Sequence, residues 1–167
     1  GLGLALALPF LALAQAQPAA KGQGQKLILE YVDGEDFRVL TADKSTLKFN
    51  AGIVEGDEIP VGSTISTGAS TTAELRIKPN GTIVKLAKGT TFSVTAVAAE
   101  SGGKNAFALV AGKVRAVAAK GGRYEITTKT TVCGVRGTDF SLSVEEGAKA
   151  LLMVQEGLVE FQKLDDA

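Results

Sequence analysis

The chain has 167 residues, of which 45% are hydrophobic and 22% charged, which is the composition of one globular domain large enough to bury its own core. Eighteen basic residues balance eighteen acidic ones, so no net charge draws the chain to nucleic acid or to an anionic membrane surface. The sequence has no histidine and one cysteine, which excludes Ser-His and Cys-His nucleophile pairs, histidine zinc sites and thiolate metal clusters. We therefore expect a non-enzymatic protein with no cofactor, no metal and no nucleic-acid partner.

The first residues, 1–16, form an apolar run, GLGLALALPFLALAQA, that contains no charge. The run is typical of the core of a secretory signal peptide, and the small-x-small motifs at 12–14 and 14–16 predict cleavage after Ala14 or Ala16. We expect a signal peptide over 1–16 that lacks its start, export to the periplasm or the outside of a bacterial cell, and no stable membrane span after cleavage. The alternative is an uncleaved anchor, because an apolar run extended upstream could reach the ~20 residues of a transmembrane helix.

Residues 17–25, QPAAKGQGQ, contain no branched apolar residue and predict a flexible linker. From residue 26 onward, short alternating apolar and polar runs are broken at regular intervals by turn sequences, which is typical of an all-β fold. We predict one all-β domain over 26–163 and a short tail over 164–167. The runs indicate about ten to twelve short strands, packed as a two-sheet antiparallel sandwich or as a jelly-roll-like β-roll. The regular spacing also permits a solenoid-like roll.

The run TTAELRIK gives the clearest predicted strand, because Ala73, Leu75 and Ile77 share one face and the polar residues share the other. Tight turns are predicted at 33–34, Asp-Gly, and at 79–81, Pro-Asn-Gly, since Asp and Asn tolerate positive φ and Gly adopts it freely. The same alternation predicts inward-facing residues along the later strands, namely Phe92, Val94, Ala96, Phe107, Leu109, Val114, Ala116, Ala118, Tyr124, Ile126, Phe140, Leu142, Val144, Leu152, Val154, Val159 and Phe161.

Neighbouring carboxylates occur beside predicted turns, at Asp33 with Glu35 and Asp36, at Asp57 with Glu58, and at Glu145 with Glu146. A glycosidase needs two carboxyl groups that face each other across a cleft. Acids at turns, however, are ordinarily solvated or bonded to nearby backbone N–H groups. A polysaccharide binder or hydrolase is therefore the least favoured hypothesis.

Basic residues are concentrated between 104 and 129, where six of them accompany one acid, Glu125. Lys113 and Arg115 alternate with apolar residues, so we expect both side chains to point to solvent. Such a strip could dock an acidic partner and would raise the encounter rate more than the affinity. The predicted partner surface comprises Lys113, Arg115, Lys120 and Arg123; a merely solvated sheet face is the alternative.

The segment TTVCGVRGTDFSLSV, residues 130–144, places two glycines, one arginine and the single cysteine in a strand-like run. Gly134 and Gly137 flank Arg136, which predicts a bulge or a sharp bend where a Cβ atom would clash. Cys133 is expected to be a small buried hydrophobic residue, because no base is present to generate its thiolate. We predict a structural motif that consists of Gly134, Arg136, Gly137, Thr138, Asp139 and Phe140; part of a recognition surface is the alternative.

Arg136 is the residue of this motif that needs a partner. Its apolar neighbours in the sequence predict burial, and an unpaired buried guanidinium costs on the order of several kcal/mol. Thr138 and Asp139 are the nearest acceptors along the chain. We therefore expect Arg136→Ala and Gly137→Val each to lower the melting temperature strongly.

Five segments in order carry a family resemblance: VEGDEIPVGSTISTGASTTAELRIKPNGTIVKL, TTFSV, FALVAGKVRAV, YEITTKTTVCGVRGTDFSL and VQEGLVEF. Together they are similar to the periplasmic domain of the FecR family, whose pattern includes V-R-G-T-x-F and a final x-E-G-x-V. The resemblance covers Val54 to Phe161, and it depends on the combination of these motifs because none of them is specific alone.

The resemblance implies an all-β, non-enzymatic sensing or interaction domain outside the inner membrane, for which the family supplies no catalytic or ligand residues. We therefore expect an exported domain that binds a protein or an envelope component. FecR proteins themselves are implied to be relays that act on an extracytoplasmic-function sigma factor and contact an outer-membrane receptor. A membrane-anchored transducer of this type, regulating iron uptake, is the alternative.

Overall fold

The computed structural model describes residues 24–99, 103–145 and 149–164, and these contain twelve strands and no helix. Accordingly, no helical segment of the described residues could cross a membrane. The all-β class and the number of strands are as predicted. The strands are β1 (Lys26–Asp33), β2 (Phe37–Leu40), β3 (Thr46–Phe49), β4 (Gly52–Ile53), β5 (Thr64–Thr67), β6 (Thr72–Lys78), β7 (Ile83–Leu86), β8 (Thr91–Ala96), β9 (Lys104–Val117), β10 (Arg123–Thr127), β11 (Thr131–Val144) and β12 (Ala150–Lys163).

All twelve strands belong to one hydrogen-bonded sheet, which runs in the order β1-β6-β7-β9-β8-β5-β2-β3-β4 and is extended from β9 by β10, β11 and β12. Most pairs are antiparallel, but β3–β4 and β9–β10 are parallel. The predicted division into two antiparallel sheets is therefore not what the hydrogen bonds show. Three strands of 14 residues, β9, β11 and β12, are also longer than predicted.

Strand β9 shows how one sheet can enclose a core. Its first half pairs with β8 and β10, whereas its second half pairs with β7 and β11. The halves meet at Gly112, which has a φ of 87°, and a Cβ atom there would lie 2.6 Å from the Cα atom of Thr90. No side chain fits at that distance, so glycine is required where the sheet changes direction.

The buried side chains form one core cluster that includes Phe37, Phe92, Phe107 and Phe140. Phe92 and Phe107 stack with their ring centroids 5.2 Å apart. The inward-facing residues predicted for β6, namely Ala73, Leu75 and Ile77, are all buried.

The prediction of inward-facing residues is less accurate in β12, where Val154 and Phe161 are each 42% exposed. Both side chains are on the core side of the strand, opposite buried residues of β11. They stay accessible because, within the described part of the chain, β12 has one neighbouring strand, β11, and its other edge is not covered.

The predicted turn at 79–81 is present between β6 and β7, and its Asn80 side chain is held in place. Asn80 Nδ2 donates to the Tyr124 hydroxyl at 2.7 Å and to Gln25 Oε1 at 2.8 Å. Gln25 N in turn donates to Ala98 O at 2.9 Å. Gln25, which we expected in the flexible linker, is therefore bound to the sheet. The predicted signal peptide, linker residues 17–23, Glu146 and residues 165–167 lie outside the described residues.

Candidate functional site

The glycine-rich segment of β11 contains the predicted bulge, since the β11–β12 register shifts between Arg136 and Asp139. Gly137 has a φ of 56°, and the buried Thr138 Oγ1 shares its proton between Leu158 O at 2.8 Å and Arg136 O at 3.0 Å. The bulge changes which side chains face inward, because Val135 is buried before it and Thr138 and Phe140 are buried after it. This segment therefore joins two differently oriented halves of β11.

Two predictions for this segment are wrong. Gly134 lies in regular strand, and a Cβ atom there would meet no atom closer than 3.7 Å. The side chain of Arg136 is exposed and does not bond Asp139. The reason is the strand period of two, because Val135 faces the core and its neighbours must face outward.

Asp139 pairs instead with Arg115 of β9. Its two carboxylate oxygens accept hydrogen bonds from Arg115 Nε at 3.0 Å and from Arg115 Nη2 at 2.7 Å. This bonding lowers the pKa of the Asp139 carboxyl below its ordinary value and raises the pKa of the Arg115 guanidinium. The charge of Arg115 is therefore matched within the protein.

The four residues of the predicted partner surface are distributed over β9, the turn that follows it and the start of β10. Lys113 and Arg115 are exposed as expected, on the second half of β9. Lys120 belongs to the turn after β9 and lies close to the β11 bulge. A Cβ atom added at Gly137 would lie 3.4 Å from the Cα atom of Lys120. Arg123 begins β10 and pairs in register with Arg136. The structure thus separates Arg123 from Lys113 and Arg115 and places it beside the β11 motif.

Arg123 and Arg136 stand directly opposite each other on the outer face, the side of the sheet that points away from the core. Arg123 is also the register partner of Lys104 on β9, so three basic residues form one row across three strands. Leu158, which is 86% exposed, extends this row onto β12 opposite Arg136. Like charges that face each other across strands destabilise a sheet. The row is therefore an arrangement that favours a negatively charged ligand.

A groove of about 580 Å³ lies over this row, and we call it the arginine groove. Gly134 forms its floor, because it places no side chain between Glu125 and Glu160 on the neighbouring strands. The residues that define the arginine groove are Lys104, Arg123, Glu125, Gly134, Arg136, Leu158 and Glu160.

The acids of the arginine groove do not neutralise its arginines. Glu125 pairs with Lys104, and Glu160 Oε1 accepts a hydrogen bond from Gln162 Nε2 at 2.7 Å. Among the described residues, no carboxylate forms an ion pair with Arg123 or Arg136. Both guanidinium groups are therefore available to a ligand.

The cysteine and the tyrosine near this groove are held in their neutral forms. Burial raises the pKa of the Cys133 thiol from 9.0 to about 11. Burial also raises the pKa of Tyr124, although the hydrogen bonds that its hydroxyl makes with Thr82 and Asn80 oppose this shift. Within the described residues, no three His, Cys, Asp or Glu side chains cluster to hold a metal ion. The chemistry that the arginine groove offers is hydrogen bonding and charge pairing.

Sequence reasoning missed Lys104, Leu158 and Glu160 as neighbours of the two arginines. The row depends on the parallel pairing of β9 with β10 and on the position of β12, which no local pattern specifies. The alternation in β12 did indicate that Leu158 and Glu160 point outward, whereas Arg136 was wrongly predicted to be buried. The missing information was which strands are neighbours.

A comparison with protein-family models finds a match to the FecR protein family over residues 63–160. The match covers more than half of the chain and spans β5 through most of β12. This chain belongs to the FecR family. The predicted resemblance to the FecR family is thereby confirmed over residues 63–160, and the family is a regulatory one related to signal transduction. No curated protein and no solved structure matches this FecR-family chain. The matched region contains the whole β11 bulge and the arginine groove.

Proposed function

We propose that this chain is an exported, non-enzymatic FecR-family domain that binds an acidic segment of a partner protein in the arginine groove. The observation that carries the proposal is the direct opposition of Arg123 and Arg136, neither of which has an ion-pair partner among the described side chains. A carboxylate between them would replace repulsion by two charge-assisted hydrogen bonds. The exposed Leu158 beside them suits an apolar residue next to the acid.

Location outside the inner membrane is part of this proposal. The apolar run over 1–16 and its small-residue positions support export, as does the family to which the chain belongs. N-terminal sequencing of the protein from fractionated cells tests this part. A mature chain that begins after Ala14 or Ala16 supports export with cleavage. An intact apolar run in the membrane fraction contradicts cleavage.

A second candidate is a membrane-anchored transducer that regulates an extracytoplasmic-function sigma factor. Membership of the FecR family, a signal-transduction family, favours it. The arginine groove would then receive the acidic segment of the partner that delivers the signal. The two candidates differ in whether the apolar run is retained, so the same N-terminal sequencing separates them.

Binding at the arginine groove is tested with a fluorescent peptide of alternating glutamate and leucine, measured by anisotropy. Arg136→Glu and Arg123→Glu should each weaken binding about tenfold or more, because each places a like charge against the ligand. Lys113→Glu is the matched control, since it reverses an exposed charge on the other half of the outer face. Equal weakening by Lys113→Glu, or unchanged binding by folded Arg136→Glu, would contradict the proposal.

The natural partner is sought by capture from bacterial envelope extracts with the parent chain and the same variants. We expect a protein that the parent and Lys113→Glu retain and that Arg136→Glu loses. Retention of an anionic polymer instead of a protein would show that the groove binds an envelope component.

A further inference from the structure

Strand β12 leaves one edge unpaired in the described part of the chain, and this edge is 14 residues long. At ~3.3 Å per residue it presents a long row of backbone donors and acceptors. Natural edge strands are usually protected by shortness, proline or many charges. β12 has no proline and three charged residues, namely Glu156, Glu160 and Lys163. Such an edge favours pairing with another strand.

The hydrogen bonds to β11 show which residues of β12 point toward the free edge. Leu164 N donates to Thr130 O, and Lys149 O accepts from Glu145 N, so both of these residues bond toward β11. Successive residues of a strand bond to opposite sides. The residues that bond toward the free edge are therefore Val159, Phe161 and Lys163 in the second half, and Ala150, Leu152 and Val154 in the first.

The same six residues have side chains on the core side of the sheet. Leu152 and Val154 are in register with buried Leu142 and Phe140, and Phe161 is in register with buried Cys133. In the first half of β12, the even-numbered residues bond toward the free edge and have their side chains on the core side. In the second half, the odd-numbered residues do both. The change takes place at the bulge near the middle of the strand, between 154 and 159.

This change restricts how two copies of β12 can pair. In an antiparallel pair, residues that bond to each other must both point their backbone groups at the partner, and their side chains must share a face. Only one antiparallel register pairs all six edge-facing residues with one another while meeting both conditions, and it pairs Val154 with Val159, Leu152 with Phe161 and Ala150 with Lys163. Glu156 of one copy then faces Gly157 of the other.

We propose that two copies of this chain associate by antiparallel pairing of β12 in this register, which extends the sheet across a two-fold axis. The inference goes beyond the proposed function and does not rest on it. Val154 would pack beside Val159 of the second copy, and Phe161 beside Leu152, so the two core-side residues that are 42% exposed become covered. Glu160 faces Met153 of the second copy, and no two like charges stand directly opposite.

Disulfide trapping tests the register. A hydrogen-bonded antiparallel pair has Cα atoms about 5.5 Å apart, within the range that a disulfide spans. Val154→Cys mixed with Val159→Cys should therefore give a covalent dimer of the full chain under mild oxidation. Each variant alone should not, because two copies of the same position lie about 16 Å apart along the strands.

Met153→Cys mixed with Val159→Cys is the control, since Met153 has its side chain on the outer face and cannot reach a core-side cysteine. We expect no covalent dimer from this mixture. Linkage in the control or in a single variant, as association through the apolar N-terminal run could produce, would overturn the proposal. A monomer of the parent chain in sedimentation equilibrium would also overturn it, as would a dimer without the expected cross-link in folded variants.

Discussion

At the scale of single residues, the neighbours Gly137 and Arg136 differ in how much the stability of the fold depends on them. Gly137 has a φ of 56°, a conformation that a β-branched side chain adopts only with strain. Gly137→Val should therefore lower the free energy of unfolding by about 1–3 kcal/mol in urea denaturation. Arg136→Ala removes an exposed side chain and should change it by no more than about 0.5 kcal/mol. Equal losses would contradict this account and restore the buried arginine that the sequence suggested.

The buried thiol of Cys133 predicts a dependence of stability on alkaline pH. The folded pKa of about 11 lies above the ordinary value of 9.0, so the unfolded chain loses this proton first. This contribution to stability is complete below pH 9 and is lost as the pH rises toward 11, by on the order of 1–3 kcal/mol.

Cys133→Ala removes this titration and serves as the reference for the other groups that ionise at high pH. We expect the unfolding free energy of the parent to fall relative to this variant between pH 9 and 11. Parallel pH profiles for the two proteins would show that Cys133 is not buried as described.

At the scale of elements, the hydroxyl of Thr138 ties the β11 bulge to β12. Thr138→Val keeps the shape but removes the donor to Leu158 O, which should cost about 1–3 kcal/mol and speed amide exchange in β12. Thr138→Ser retains the hydroxyl and should keep β12 protected more than the valine variant does. Faster β12 exchange in the serine variant than in the valine variant would mean that the methyl group, not the hydrogen bond, secures the strand.

The alternation of apolar residues predicted most elements and most of the core, because a strand buried on one face must repeat every two residues. It placed Leu75 and Phe107 correctly in the core. It placed Arg136 wrongly because apolar neighbours along a strand point to the opposite face and do not surround the residue. The parallel pairing of β9 with β10 could not be predicted, since pairing depends on packing between distant segments.

At the scale of the whole molecule, the zero net charge conceals an uneven distribution on the outer face. Arg115 and Asp139 neutralise each other on one half of this face, whereas Arg123 and Arg136, on the other half, have no ion-pair partner in the described part of the chain. Binding of an acidic segment should therefore weaken as salt is added, because dissolved ions screen the attraction between exposed charges. At an ionic strength of 0.15 M the screening length is about 8 Å. We expect the affinity for the glutamate–leucine peptide to fall steadily as salt increases. An affinity that is independent of salt would contradict a charge-based groove.

We propose that this FecR-family domain binds its partner in the arginine groove. The most direct test is a map of amide NMR shifts on titration with the glutamate–leucine peptide. We expect the largest shifts at Arg123, Gly134, Arg136 and Leu158, which surround the groove. Largest shifts at Lys113 and Arg115 instead, with the groove unchanged, would contradict it.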